Sequence, residues 1–149
     1  MTIFEQVNNG IKEAMKARDK GKLEALRNIK KVMIEAKSEK GAGSELSDEE
    51  SIKIISKLAK QGNDSAVIYK QQGREDLYAQ EMAQVQIFES YLPESLSDEE
   101  LLDAIKSVID KIGANSIKDM GRVMGIASKE LTGKADGKRM ADMVKKLLQ

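Results

Sequence analysis

Ser97-Asp98-Glu99-Glu100-Leu101-Leu102-Asp103-Ala104-Ile105-Lys106-Ser107-Val108-Ile109-Asp110-Lys111-Ile112-Gly113 contains a complete set of instructions for one helix. Ser97 with Glu100 three residues on forms a capping box, in which each side chain satisfies a backbone N–H that the first turn leaves free. Acidic residues in that turn suit the positive end of the helix dipole. Leu101, Leu102, Ile105, Val108, Ile109 and Ile112 then recur at three- and four-residue steps, the spacing of one buried face. Gly113 supplies the left-handed closing position that other residues adopt at a cost.

The same grammar repeats outward in both directions. Ser47 with Glu50 is a second capping box, followed by Ile52, Ile55, Leu58 and Ala59 and continuing through Ala66, Ile68 and Tyr69 toward Gln72. Gly62-Asn63-Asp64 weakens the middle of that helix, by about 1 kcal/mol for the glycine relative to alanine. Thr2 with Glu5 opens the first helix, carrying Ile3, Val7, Ile11, Ala14 and Met15 to about Arg18, and Gly21 interrupts it. Leu23, Leu26, Ile29, Val32, Met33 and Ala36 define a second helix ending near Lys40. A fourth, from Arg74, carries Leu77, Tyr78, Met82, Val85, Phe88 and Tyr91 until Pro93, because the residue before proline disfavours helical geometry. Beyond Gly113, Ser116 with Asp119 can cap a sixth helix (Ile117, Met120, Val123, Met124, Ala127, Leu131), and Asp136 a seventh (Met140, Met143, Val144, Leu147, Leu148). No alternation of β-branched residues is sustained. The expectation is an all-α protein, with an amino-terminal four-helix domain over residues 1–93 and a small three-helix domain over 94–149.

Composition narrows function by exclusion. The 149 residues contain no cysteine and no histidine, which removes disulfides, thiolate nucleophiles, imidazole bases and zinc sites built on Cys or His. Ser90, Ser95 and Ser97 lie around a helix stop and a cap with no base placed beside them. No calcium loop of alternating acidic residues is present, Met120, Met124, Met140 and Met143 sit at apolar helical positions that read as core, and neither a metal site nor a cofactor site is expected. No apolar stretch reaches membrane-spanning length and the amino end lacks a signal-peptide pattern, so the expectation is a cytoplasmic protein with no membrane partner.

Lys+Arg and Asp+Glu both number 25, yet the charges are sorted. Residues 11–43 and 104–149 each hold ten basic and five acidic side chains, whereas residues 74–103 hold one basic and nine acidic. Within the second basic block, Gly133-Lys134-Ala135-Asp136-Gly137-Lys138-Arg139 lacks the spacing of a nucleotide-binding P-loop. It reads either as a plain interhelical turn or as a turn whose backbone N–H groups and cations meet phosphate oxygens. Gly121 and Gly125 lie one turn apart on a helix. The leading reading is close packing of a neighbouring helix, and the alternative is contact with a ligand or RNA backbone.

Tyr91-Leu92-Pro93-Glu94-Ser95-Leu96-Ser97, the run from Gly113, Lys118-Asp119-Met120-Gly121-Arg122-Val123-Met124 and Gly133-Lys134-Ala135-Asp136-Gly137 together closely resemble the YqeY-like proteins of the GatB/YqeY family. The opening helix and the Leu26-Arg27-x-Ile29-Lys30 region are similar too. The resemblance implies that the carboxyl-terminal domain is shared with the tail of the B subunit of the tRNA-dependent amidotransferase, where that tail touches the tRNA elbow. It also implies a family label of carbon–nitrogen ligase with glutamine as amido-N-donor. The serine amidase signature and the ATP-dependent cradle of those enzymes have no counterpart here, and no catalytic residue is assigned.

The resulting expectation is a stand-alone tRNA-associated accessory module. Lys118, Arg122, Lys134, Lys138 and Arg139 make phosphate contacts, and Gly133 and Gly137 allow close approach. The alternative is a protein-interaction module that docks through its acidic fourth helix, with Glu75, Asp76 and Glu81, on amidotransferase subunits or another RNA-handling protein. With two phenylalanines and three tyrosines there is little to stack on unpaired bases, so recognition by shape and charge is expected.

Overall fold

A computed structural model describes all 149 residues. The protein is all-helical: α1 (Ile3–Ala17), α2 (Lys20–Lys40), α3 (Asp48–Gln71), α4 (Glu75–Glu89), α5 (Asp98–Ile112), a 3-10 turn (Ile117–Asp119), α6 (Met120–Glu130) and α7 (Gly137–Leu148). The backbone divides into two compact units, Met1–Leu92 and Pro93–Gln149. No helix is long and apolar enough to cross a membrane.

In the first unit, Thr2 Oγ1 accepts from Glu5 N–H and Glu5 Oε2 from Thr2 N–H, closing the capping box at 3.2 and 2.8 Å. Ser47 and Glu50 do the same for α3. The apolar faces converge on Ile3, Val7, Leu26, Ile29, Met33, Ile55 and Phe88, all buried, each large aliphatic worth about 1.5–3 kcal/mol of transfer free energy. Three expectations need correction. The break between α1 and α2 falls at Arg18 and Asp19, not at Gly21, which lies inside the first turn of α2. Arg18 takes the left-handed conformation and Asp19 caps the next helix through its carboxylate. Met15 and Ile68 are exposed, at 54% and 52%, while Gly10 occupies a core position on α1.

Gly62 does not weaken α3 visibly, because the helix runs through it without a break. A Cβ added there would lie 2.6 Å from Val85 Cγ2, so the missing side chain is what lets α3 and α4 approach. Similarly, a Cβ at Gly10 would collide with the Tyr91 hydroxyl and press on Leu26 Cδ1. α4 ends at Glu89, and bonds from Tyr91 N to Phe88 O and from Leu92 N to Glu89 O carry the chain to Pro93.

The second unit is held by Leu101, Ile105 and Val108 of α5, Val123 and Ala127 of α6, Leu131, and Met140, Val144 and Leu148 of α7. Ser97 and Glu100 form the capping box of α5, and Gly113 closes it at φ 69°. The start of α6 differs from the expectation. Ser116 makes no side-chain cap, a 3-10 turn intervenes, and Ile117 is 44% exposed. Asp119 instead accepts Asn115 N–H on Oδ2 and an Arg122 guanidinium N–H on Oδ1, bracing the loop between α5 and α6.

Candidate nucleic-acid interface

The turn between α6 and α7 is built by backbone bonds and one carboxylate. Lys134 N–H donates to Leu131 O, Gly133 adopts φ 77°, and Leu96 N–H donates to Lys134 O at 2.8 Å. Asp136 Oδ1 accepts Arg139 N–H at 2.7 Å and starts α7. With that carboxylate committed to the cap, the exposed Lys134 and Lys138 stand without an acidic partner. Arg139 does not share this freedom. Its Nη2 donates to Leu96 O at 2.8 Å and to Asp98 Oδ1 at 3.0 Å, so this guanidinium ties α7 to the chain entering α5.

Lys118 and Arg122 lie elsewhere. They sit at the start of α6, whereas Lys134 follows its end, so a helix of 11 residues, about 16 Å at 1.5 Å per residue, separates the two groups. Arg122 is partly engaged by Asp119 and by Ile112 O, but its side chain remains 64% exposed.

The surface between the groups is the face of α6 opposite Val123 and Ala127. Gly121 and Gly125 both point there, and a Cβ built on either meets nothing within 4 Å. The expected close packing of a neighbouring helix is therefore overturned: these glycines face open space, as does Gly137. Helical geometry sets Arg122 and Lys129, seven residues apart, along one edge of this bare strip. Lys145 similarly shares the outward face of α7 with Lys138. Both lysines are exposed and neither is ion-paired. Lys129 and Lys145 extend the basic surface beyond the residues expected from sequence, and the signal that carries them is the seven-residue step from Arg122 and from Lys138.

The acidic candidates lie in the first unit. Asp76 is paired with Arg74 through two contacts of 3.3 Å, and the Arg74 guanidinium holds its carboxyl below the ordinary range. Glu75 is exposed and Glu81 half-buried. Val67 and Ile68 of α3 are exposed at 55% and 52% and precede the turn in which Arg74 N–H donates to Tyr69 O. No group of three or more acidic side chains converges as a metal site would require. A shallow cleft of about 320 Å³ is lined by Asp98, Leu101, Arg139, Asp142, Met143 and Lys146; with both signs of charge and little enclosure it has neither the shape nor the chemistry of a small-molecule site.

Fold and surface define an all-helical protein in two compact units, the second of which presents a basic, glycine-bared helix face. The chain belongs to the Yqey-like protein family, whose model matches residues 4–148. No curated protein matches it significantly.

Proposed function

We propose that the chain is a non-catalytic, RNA-associated accessory protein whose second unit docks on the phosphate backbone of a folded RNA, with tRNA as the ligand implied by the resemblance to the amidotransferase B-subunit tail. In this reading the two units are working domains of four and three helices. The observation that carries it is the open face of α6. Gly121 and Gly125 leave the helix backbone accessible in open space, at a cost to helix stability of roughly 1 kcal/mol for the interior Gly125 and less for Gly121 in the first turn, and Arg122 and Lys129 border it. Lys118, Lys134 and Lys138 supply further exposed cations at its two ends, and phosphate contacts of this type position a protein without reading sequence.

A titration of the full-length chain against a tRNA transcript over a salt series tests this. Binding that weakens steeply with salt is expected. In a Lys118→Ala, Lys134→Ala, Lys138→Ala variant the log–log slope falls by about two to three, near the 0.7–0.9 per phosphate contact that counterion release gives. Arg139 is left intact because its bonds to Leu96 O and Asp98 make it structural. Absence of binding at low salt sinks the reading.

A second reading is favoured by a separate observation. Val67 and Ile68 near the end of α3 expose two large apolar side chains, and the exposed Glu75 opens the next helix; exposed apolar side chains together with acidic charge suit a protein partner with a basic surface. Amidotransferase subunits or another RNA-handling protein fit that description. Capture of such a partner by the wild type but not by a Val67→Ser, Ile68→Ser, Glu75→Lys variant tests it.

A further inference from the structure

The corner joining α1 to α2 breaks two local rules within a few residues. α1 ends in a Schellman-type closure, with Asp19 N–H donating to Ala14 O at 3.0 Å and Arg18 N–H to Met15 O at 3.2 Å. Its left-handed residue is Arg18, at φ 56°. Every other residue of positive φ in the chain is a glycine, the residue that this position ordinarily takes because any Cβ is strained there. On the other side of the corner, α2 has no acidic residue in its first turn, unlike α3, which has Asp48, Glu49 and Glu50, and α5, which has Asp98, Glu99 and Glu100. Lys20 and Lys22 stand there, against the helix dipole.

What these departures achieve is a concentration of positive charge. Lys12 and Lys16 lie one turn apart on the outward face of α1, followed by Arg18 and Lys20, and all four are exposed. None of them is ion-paired. The acidic groups nearby form no ion pair with them. Asp19 spends its carboxylate on the α2 cap, Glu13 lies on the Tyr91 side, where its charge helps raise that phenol's pKa after burial, and Glu24 makes no ion pair. By contrast, the lysines at the far end of α2 are occupied: Lys40 pairs with Glu50 at 3.0 Å, and Lys37 lies over the Phe4 ring and 4.0 Å from Glu45.

We infer that this corner is a second phosphate-contacting surface for the same folded RNA, carried by Lys12, Lys16, Arg18 and Lys20 of the first unit. It rests on RNA being the ligand of the second unit and adds a site on the first. Charge complementarity selects a polyanion. None of the five aromatic side chains is exposed, so bases have no stacking platform and a backbone-presenting, folded RNA is the form that fits. The strain at Arg18 is the cost of keeping a cation where glycine would be easier.

The test uses the full-length chain, a tRNA transcript and salt series from 0.05 to 0.2 M. A corner variant, Lys16→Ala with Arg18→Gly and Lys20→Ala, is expected to bind at least about tenfold more weakly at 0.1 M salt, with its slope reduced by about two to three. Arg18→Gly alone is expected to lose about three- to tenfold in affinity with an unchanged or raised melting temperature, which separates loss of contact from loss of fold. A corner variant that binds with wild-type affinity and slope overturns the inference. If the Lys118, Lys134, Lys138 variant alone loses binding, the corner fails and the second-unit site stands. If the corner variant alone loses it, the reverse holds. A wild-type chain that does not bind overturns both.

Discussion

Glycine is used in opposite ways in the two units. Gly10 and Gly62 in the first are buried, and the space where their Cβ atoms would sit is filled by Tyr91, Leu26 and Val85. Gly121, in the first turn of α6, and Gly125, in its interior, are exposed positions in the second with nothing opposite them. Packing explains the first pair and cannot explain the second. A helical glycine with no neighbour only costs backbone entropy, so the bare strip on α6, like the left-handed Arg18 in the first unit, is a place where stability and some other requirement part company.

The largest effect that could break this contrast is at Gly62. Gly62→Ala places a methyl 2.6 Å from Val85 Cγ2, and Val85 is a stiff β-branched side chain, buried to 1% exposure, with little room to turn. Overpacking of this kind costs about 1–3 kcal/mol, of which the better helix propensity of alanine returns at most about 1. A lowered urea midpoint is expected. Combining it with Val85→Ala gives a loss smaller than the sum of the singles, because the clash is then gone. An unchanged midpoint for Gly62→Ala would mean that the helices are not held at this separation.

Ser97→Ala comes next. It removes the hydroxyl that accepts Glu100 N–H at 3.1 Å and costs about 1 kcal/mol, read as a lower melting temperature. A loss within a few tenths of a kcal/mol would show that α5 is held by its packing on Val123 and Val144 with little help from its cap.

Gly121→Ala and Gly125→Ala sharpen the comparison from the other side. Gly125→Ala is expected to raise stability by about 0.5–1 kcal/mol and Gly121→Ala, in the first turn, by less, while each weakens tRNA binding. Higher stability with unchanged affinity would detach the bare strip from ligand contact.

How much of this was legible in the sequence follows from where the information resides. The three capping boxes at Thr2, Ser47 and Ser97, the Asp136 cap and the closing Gly113 are local chemistry, complete within four or five residues, and each forms as its motif dictates. The all-helical class follows from them and from apolar spacing. What is not local could not be read. Gly62 has the local signature of a weak point, yet α4 passes beside it, and Gly121 and Gly125 have the spacing of a packing pair, yet nothing lies opposite them. Arg139 looked equivalent to Lys138, yet its partner Leu96 is 43 residues away. The Arg18 closure eluded periodicity because a glycine three residues later offered a more familiar breaker.

The smallest effect concerns acid. Glu50 and Glu100 each complete a capping box, and in both the carboxyl is held below its ordinary range chiefly by accepting the cap residue's backbone N–H. For Glu50 the Lys40 ammonium, 3.0 Å away, lowers it further, whereas Glu100 has only Ser97. A carboxyl whose folded pKa lies below its unfolded one stabilises the fold fully above the unfolded value, near 4.3. That contribution is lost as pH falls through the folded value. Stability should therefore decline on the acid side of about pH 4.3, and Glu50→Gln and Glu100→Gln should each flatten the decline while leaving the amide oxygen able to accept the cap's N–H. Salt separates the two. The ammonium's share is screened at high ionic strength but a backbone hydrogen bond is not, so a carboxyl titration followed by NMR should move Glu50 upward in 1 M salt more than Glu100. Equal movement of the two would show that Lys40 contributes nothing to the cap of α3, and that both units hold these helix starts by the same hydrogen bonds alone.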